Sequence, residues 1–289
     1  MRPSGTTGPR LRRRSTGRVV ALSGLALLTL TACSSEELPT FAMPARDATN
    51  HAPTILSLWQ GSWVAAWAVG ALTWGLILWP VIAFRRKRGE TGLPAQTRYN
   101  LPVEVLYTVV PFIAVAVFFF FTARDEDRIL ETSANPDHRI TVTGIQWSWQ
   151  FTYTSDGGAQ TTGTPGKPPT LVLPEGESVQ FRLVSDDVIH SFWVPAFLFK
   201  LDVIPGNRNS FEITPKKIGT YDGKCAELCG QDHSRMLFNV EVVSEADYEI
   251  YLKDLEARGD VADEPLLGGE DARTQAGLEE AQNETGGTE

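Results

Sequence analysis

The chain has 289 residues and a formal net charge of −9 from 26 basic and 35 acidic side chains, a length that suits one or two domains. Its first 32 residues hold six arginines and no acid, so the remainder carries 20 basic against 35 acidic groups, or −15. Such a balance repels phosphate, which excludes nucleic-acid binding and favours a basic partner.

The leader comes first in chain order. An Arg-rich stretch, Arg2 to Arg18, is followed by "VVALSGLALLTLTA", an apolar run of the length of a secretion signal rather than a membrane span. It ends in Leu30-Thr31-Ala32-Cys33, small residues before a cysteine that resemble the lipobox of bacterial lipoproteins. That resemblance implies a signal peptide over residues 1–32, a lipidated Cys33 as mature N-terminus, and an extracytoplasmic segment over 33–61. With Cys33 so used, Cys225 and Cys229 are left to bridge each other, stay reduced or bind metal.

Two spans follow. Ser62 to Phe84 has no charge across 23 residues, enough for roughly 30 Å of hydrocarbon, and tryptophans lie near both ends, where an interfacial belt is expected. "RRKRGE" comes next, and Val105 to Ala123 forms a second apolar run with Pro111 inside it. The basic cluster places the short loop in the cytoplasm, so the N-terminus and everything after Ala123 are expected outside. Glu104 stands at the cytoplasmic mouth of the second span. It either marks where hydrocarbon begins or opens a proton pathway.

Beyond the membrane, "RITVTGIQ", "SVQFRLVS", "NSFEIT" and "LFNVEVV" are short β-branched and aromatic runs separated by Gly, Pro and Asp turns. In the second, Val179, Phe181 and Leu183 are predicted to share one face. Such a series reads as an antiparallel β-sandwich or barrel, within a domain taken as residues 124–245. A short amphipathic helix is predicted from Ala246, and residues 260–289, acidic and Gly-rich, read as disordered. The expected class is a membrane-anchored all-β protein: a two-helix transmembrane hairpin (62–123) followed by the sandwich.

The chemistry concentrates in "CAELCGQDHSRM", Cys225 to Met236, a loop predicted to join two late strands. Upstream, "DDVIHSFWVP" puts His190 at another strand end, and sandwich loops distant in sequence gather at one end. Cys225, Cys229, His190, His233 and Met236 are soft and borderline donors. A structural zinc site needs no Met; a mononuclear blue-copper site leaves one Cys surplus; a redox disulfide leaves His233 and Met236 unexplained. Two coppers bridged by two thiolates use every donor.

From about Trp59 to Val243 the chain resembles subunit II of haem–copper cytochrome c oxidases, of an actinobacterial type. The likeness rests on "IQWSWQF", "LPEGESVQFRLVSDDVIHSFWVP", "KLDVIPG" and "CAELCGQDHSRM", in the family's order behind a two-helix hairpin. It implies a cupredoxin-like fold carrying the binuclear copper centre called CuA. Cys225 and Cys229 would bridge the coppers, His190 and His233 cap one each, and Met236 and the Glu227 carbonyl act as weak ligands. The Glu227 carboxylate would share a magnesium ion with subunit I. Trp147 would receive the electron while Trp149 supports the core, Asp186 and Asp187 would dock the donor, and Glu104 matches the acid at a proton-channel mouth. The implied function is to accept electrons from cytochrome c, or from a cytochrome bc complex bearing a c-type domain. They would pass to haem a of subunit I in an aa3-type oxidase, which couples oxygen reduction to proton translocation in the bacterial plasma membrane. The other expected partners are subunit III and membrane lipid. The alternative is a copper-binding electron-transfer or copper-delivery lipoprotein outside an oxidase. Most relatives follow "IPG" with Arg, whereas this chain has Asn207 and then Arg208, so the contact of that Arg is not carried over. The chain contains no C-x-x-C-H, hence no fused cytochrome c.

Overall fold

The computed structural model describes residues 40–41, 43–44, 47–86, 89, 92–93 and 96–261. The leader, Cys33 and the acidic stretch from 262 lie outside the described residues, together with the expectations of a signal peptide, a lipidated cysteine and a disordered tail.

Helices α1 (Ala52–Ala83, 32 residues) and α2 (Leu101–Leu130, 30 residues) form the hairpin, and both are long and apolar enough to cross a membrane. At 1.5 Å per residue they reach ~45–48 Å, well beyond ~30 Å of hydrocarbon. They therefore outrun the predicted spans. Arg124, Asp125, Glu126, Asp127 and Arg128 are too polar for lipid but compatible with helix, so α2 continues past the apolar run. Pro53 and Pro102 sit in the first turns, where a missing N–H costs nothing, and Asn100 caps α2 by accepting from the Val103 amide at 3.4 Å.

Ten strands follow: β1 (His138–Ile145), β2 (Ser148–Tyr153), β3 (Ala159–Thr162), β4 (Thr170–Pro174), β5 (Val179–Ser185), β6 (His190–Val194), β7 (Phe199–Val203), β8 (Asn209–Ile213), β9 (Gly219–Cys225) and β10 (Leu237–Val243). They make two five-stranded sheets, ordered β3-β2-β1-β5-β8 and β4-β10-β9-β6-β7. The pairing is mainly antiparallel, as predicted, but each sheet holds one parallel ladder, β1 with β5 and β10 with β4. Parallel neighbours need a long crossover, and here the chain makes it by changing sheets between them.

Inward residues alternate along the strands. Val179, Phe181 and Leu183 are buried on the core side of β5 while Arg182 is exposed. The two layers meet through aromatic rings: Phe199 with Phe211 at 4.4 Å, Trp149 with Phe238 at 5.4 Å and Phe181 with Phe192 at 6.0 Å between centroids. Helix α3 (Glu245–Arg258) closes one flank, capped by the Ser244 side chain and ended by Gly259 at φ 80°. Its Tyr248 and Leu255 are buried.

One residue ties hairpin to sandwich. The Glu212 carbonyl on β8 accepts from His51 Nε2 at 3.0 Å, just ahead of α1. Its carboxylate accepts from the Ser133 amide and hydroxyl at 2.8 and 2.9 Å, just beyond α2. Both helices thus hold the sandwich at the same strand.

Candidate metal centre

Three segments converge at one end of the sandwich. β6 opens on His190, β9 ends on Cys225, and the 226–236 loop returns to β10 through a 3-10 turn, His233–Arg235. The Cys225 amide donates to the Met236 carbonyl at 3.0 Å and the Ala226 amide to the Ser191 carbonyl at 3.0 Å. These bonds pin both ends of the loop to the sheet, so the donors it carries are held on a rigid base.

The donor atoms lie close together. Cys225 and Cys229 sulfurs are 3.8 Å apart, His190 Nδ1 is 3.9 Å from Cys225 Sγ, and His233 Nδ1 is 3.5 Å from Cys229 Sγ. Met236 Sδ lies 3.7 Å from Cys229 Sγ, and the Glu227 carbonyl 3.2 Å from Cys225 Sγ. Two thiolates each ~2.3 Å from a shared tetrahedral metal would stand roughly 3.8 Å apart, so the sulfur spacing fits a shared metal. His190, Cys225 and Cys229 form a buried cluster whose ligand atoms all lie within 4.8 Å of one another. His233, half-buried, joins from the Cys229 side. Both cysteines are free thiols.

Electrostatics favour thiolate. The hydrogen bond with Cys229, and then that with His190, hold the Cys225 thiol below its ordinary pKa, while the bond with Cys225 and burial push Cys229 up. A metal cation would neutralise both sulfurs as thiolates. Burial lowers the His190 pKa, but the bonds to Asp187 and Cys225 outweigh it and the value is raised.

Asp187 is placed differently from an exposed docking acid. Its carboxylate accepts from His190 Nε2 at 2.8 Å, the Val188 amide at 2.5 Å, the Gln146 amide at 2.6 Å and the Ser185 hydroxyl at 3.0 Å. Burial raises its pKa, and these bonds, His190 first, bring it below the usual value. Asp186, next to it, is exposed.

The two tryptophans lie in different surroundings. Trp147 is half-buried against the core and donates from Nε1 to the Cys229 carbonyl at 3.0 Å. Trp149 is fully buried, donates to the Met236 carbonyl at 3.3 Å, and meets the His190 ring edge-on. Gln146, not singled out from sequence, also donates to the Cys229 carbonyl, at 2.7 Å. Its place one residue before Trp147 was the available signal. Glu227 is exposed, and Glu104 lies apart, in the first turn of α2 at the far end of the hairpin.

Known proteins resemble this chain along most of its length. The family described as cytochrome c oxidase subunit II, periplasmic domain, matches residues 168–243. A probable cytochrome c oxidase subunit 2 of Streptomyces avermitilis is 48% identical over 90% of this chain and 93% of its own. The cytochrome c oxidase subunit 2 of Mycobacterium bovis is 34% identical over 86% of this chain and 84% of its own. Among solved structures, the periplasmic domain of subunit II of cytochrome oxidase from Bradyrhizobium japonicum covers 44% of this chain and 99% of its own, at 29% identity and a TM-score of 0.41.

Proposed function

The chain belongs to the cytochrome c oxidase subunit II family, in its actinobacterial form, and from that premise we propose that it is the subunit through which electrons enter the oxidase. The observation that supports this most directly is the convergence of two thiols, two imidazoles and a thioether at one end of the sandwich. In this reading Cys225 and Cys229 would hold two copper ions as thiolates, His190 and His233 would add one nitrogen each, and Met236 and the Glu227 carbonyl would be weak donors. When bound, the pair would supply one-electron transfer with little change in its bonds.

The chain's own residues set the conditions. Asp187 orients His190, and burial of the sulfurs excludes water. Trp147, bonded to the Cys229 carbonyl and half-exposed, offers the path from the surface. Exposed Asp186 attracts a basic cytochrome c, or a c-type domain of a cytochrome bc complex, over about a Debye length, ~8 Å at physiological salt. Oxygen reduction belongs to haem and copper in subunit I of an aa3-type enzyme, reached through haem a, with subunit III alongside. The exposed Glu227 carboxylate suits a magnesium ion completed by subunit I and water, and Glu104 stands at a proton-channel mouth. The basic stretch after α1 supports a topology with the sandwich and N-terminus outside the plasma membrane, and a lipidated Cys33 would be a further anchor.

Metal analysis of the purified oxidase tests the reading. Two coppers in this chain, with an EPR signal spread over both nuclei, are expected. One localised copper, or zinc in their place, would refute it.

A further inference from the structure

The two membrane helices leave a groove between them at the sandwich end of the hairpin. It measures about 560 Å³ and runs from Ser57 to Ala65 on α1 and from Ala114 to Asp125 on α2, a size common among sites for small organic ligands. At 1.5 Å per residue it extends ~12 Å along α1 and ~16 Å along α2. Half of a ~30 Å hydrocarbon layer is ~15 Å, so the groove is one leaflet deep. Its floor is open at Gly61, where an added Cβ meets nothing within 4 Å, and Phe118 and Phe121 of α2 supply an apolar wall.

Two charges of opposite sign stand at its mouth. Arg124 and Asp125 follow directly on the apolar run that ends at Ala123, the level at which hydrocarbon gives way to lipid headgroups. Asp125 is only 3% exposed and yet lines the groove. Arg124 Nε and Nη2 donate to its Oδ1 at 2.9 and 2.7 Å, and the guanidinium carbon lies 4.9 Å from the Phe121 ring centre. Among the described residues, nothing donates to Asp125 Oδ2. A buried carboxylate oxygen without a donor is costly. Arg124, with its side chain 41% exposed, keeps further N–H groups for an anion.

We propose that this groove holds one aminophospholipid of the bilayer, of the phosphatidylethanolamine class. An acyl chain lies along Gly61 and Phe118, the phosphate accepts from Arg124, and the ammonium donates to Asp125 Oδ2. The headgroup carries the complement of both charges at the mouth, so the two are satisfied together. A lipid bearing only the phosphate charge leaves the buried carboxylate facing an anion. A neighbouring transmembrane helix matches the groove less well, because its apolar face runs the whole bilayer and not one leaflet. The inference rests on the membrane hairpin and is independent of the metal that the thiols hold.

Photolabelling of the purified oxidase in phosphatidylcholine nanodiscs tests it. Phosphatidylethanolamine and phosphatidylglycerol probes, each with a diazirine in one acyl chain, are compared, and labelled peptides are mapped by mass spectrometry. The ethanolamine probe should label residues 57–65 and 114–125 about tenfold more than the glycerol probe, the worth of one charge-assisted hydrogen bond. Asp125→Asn should erase that preference. Gly61→Phe should fill the groove and abolish labelling there by both probes. Gly70→Phe is the control: an added Cβ meets nothing there either, but Gly70 lies outside the groove, so labelling should not change. Recovery of each variant in the assembled oxidase shows that its hairpin folds, and the two-probe comparison on wild type decides if one does not. Equal labelling by the two probes marks ordinary boundary lipid, and labelling by neither marks a groove covered by another subunit. Either result, or a preference that survives Asp125→Asn, would overturn the proposal.

Discussion

His190 Nε2 lies 2.8 Å from Asp187 Oδ1, while Nδ1 of the same ring faces Cys225 Sγ at 3.9 Å. The ring is fully buried, and the carboxylate accepts a hydrogen bond from Nε2–H, a tautomer that turns the Nδ1 lone pair toward the sulfurs. Asp187 is itself fixed by two backbone amides and a hydroxyl. The proposed ligand is thus held in a fixed orientation by the protein alone.

That arrangement separates two adjacent acids. Asp187→Ala should weaken copper retention by about 10–100-fold, as removal of a ligand's outer partner typically does. Asp187→Asn keeps an acceptor and should lie between. Asp186→Asn should leave copper untouched and slow electron uptake from a freely diffusing basic donor, chiefly at low ionic strength. Chelator competition and salt-dependent kinetics on the same three variants check the division. Equal copper loss from Asp186→Asn would refute it.

A second prediction concerns the space around the same ring. A Cβ on Gly144 would sit 3.0 Å from His190 Cδ2, 3.2 Å from Cγ and 3.3 Å from Cβ. The ring cannot retreat, because Asp187 holds one edge and Trp149 packs against it. Gly144→Ala should therefore destabilise the domain by about 1–3 kcal/mol, the usual cost of overpacking, and loosen copper with it. Gly166, where a Cβ meets nothing within 4 Å, is the control, and Gly166→Ala should change stability by less than ~0.5 kcal/mol. Thermal unfolding of the two variants decides.

Much of this was legible in advance, for identifiable reasons. The strand Leu237–Val243 shows its alternation in residue type, and its bounds agree with the predicted run. The donor set was legible because Cys, His and Met are scarce: 3, 4 and 3 in the chain. Asp187 was not, since an acid three residues before a histidine reads equally as a solvated rim, and only the fold turns it inward. Helix ends were misjudged because hydropathy reports where lipid stops, not where helix stops.

The third prediction lies away from the metal. His138 on β1 is bridged by Asp156 at 3.1 Å and by Glu177, and Tyr248 of α3 donates to the same Asp156 at 3.1 Å. Burial lowers the His138 pKa, but the two carboxylates outweigh it and raise it to about 9. A folded value above the unfolded ~6.5 stabilises the fold fully below pH ~6.5, and the benefit is lost as pH rises through about 9. The clamp is worth on the order of 3 kcal/mol in that window. His138→Gln should flatten the fall in stability between neutral and alkaline pH, and amide exchange in α3 should quicken because its Tyr248 anchor loosens. An alkaline slope identical in wild type and variant would remove His138 from this role.

The last prediction ranks the donors themselves. Between them the two thiols, 3.8 Å apart, reach every other donor at the site: Cys225 reaches His190 and the Glu227 carbonyl, Cys229 reaches His233 and Met236. Cys225→Ser or Cys229→Ser therefore strips a soft ligand from both proposed coppers and should leave one metal or none. His233 touches the pair from the Cys229 side only, so His233→Ala should leave an asymmetric, poorly competent centre. Met236 is fully buried with its sulfur 3.7 Å from Cys229 Sγ, and leucine is close to it in volume, so the packing cost of Met236→Leu stays below about 1.5 kcal/mol. A thioether at an axial position tunes potential more than affinity. Copper should then remain near two per chain while the potential shifts and electron transfer slows. Copper stoichiometry, EPR and reduction kinetics on the four variants give the order. If Met236→Leu shed copper as readily as Cys225→Ser, the thioether would be a principal ligand, and a delocalised pair held by bridging thiolates would no longer describe the site.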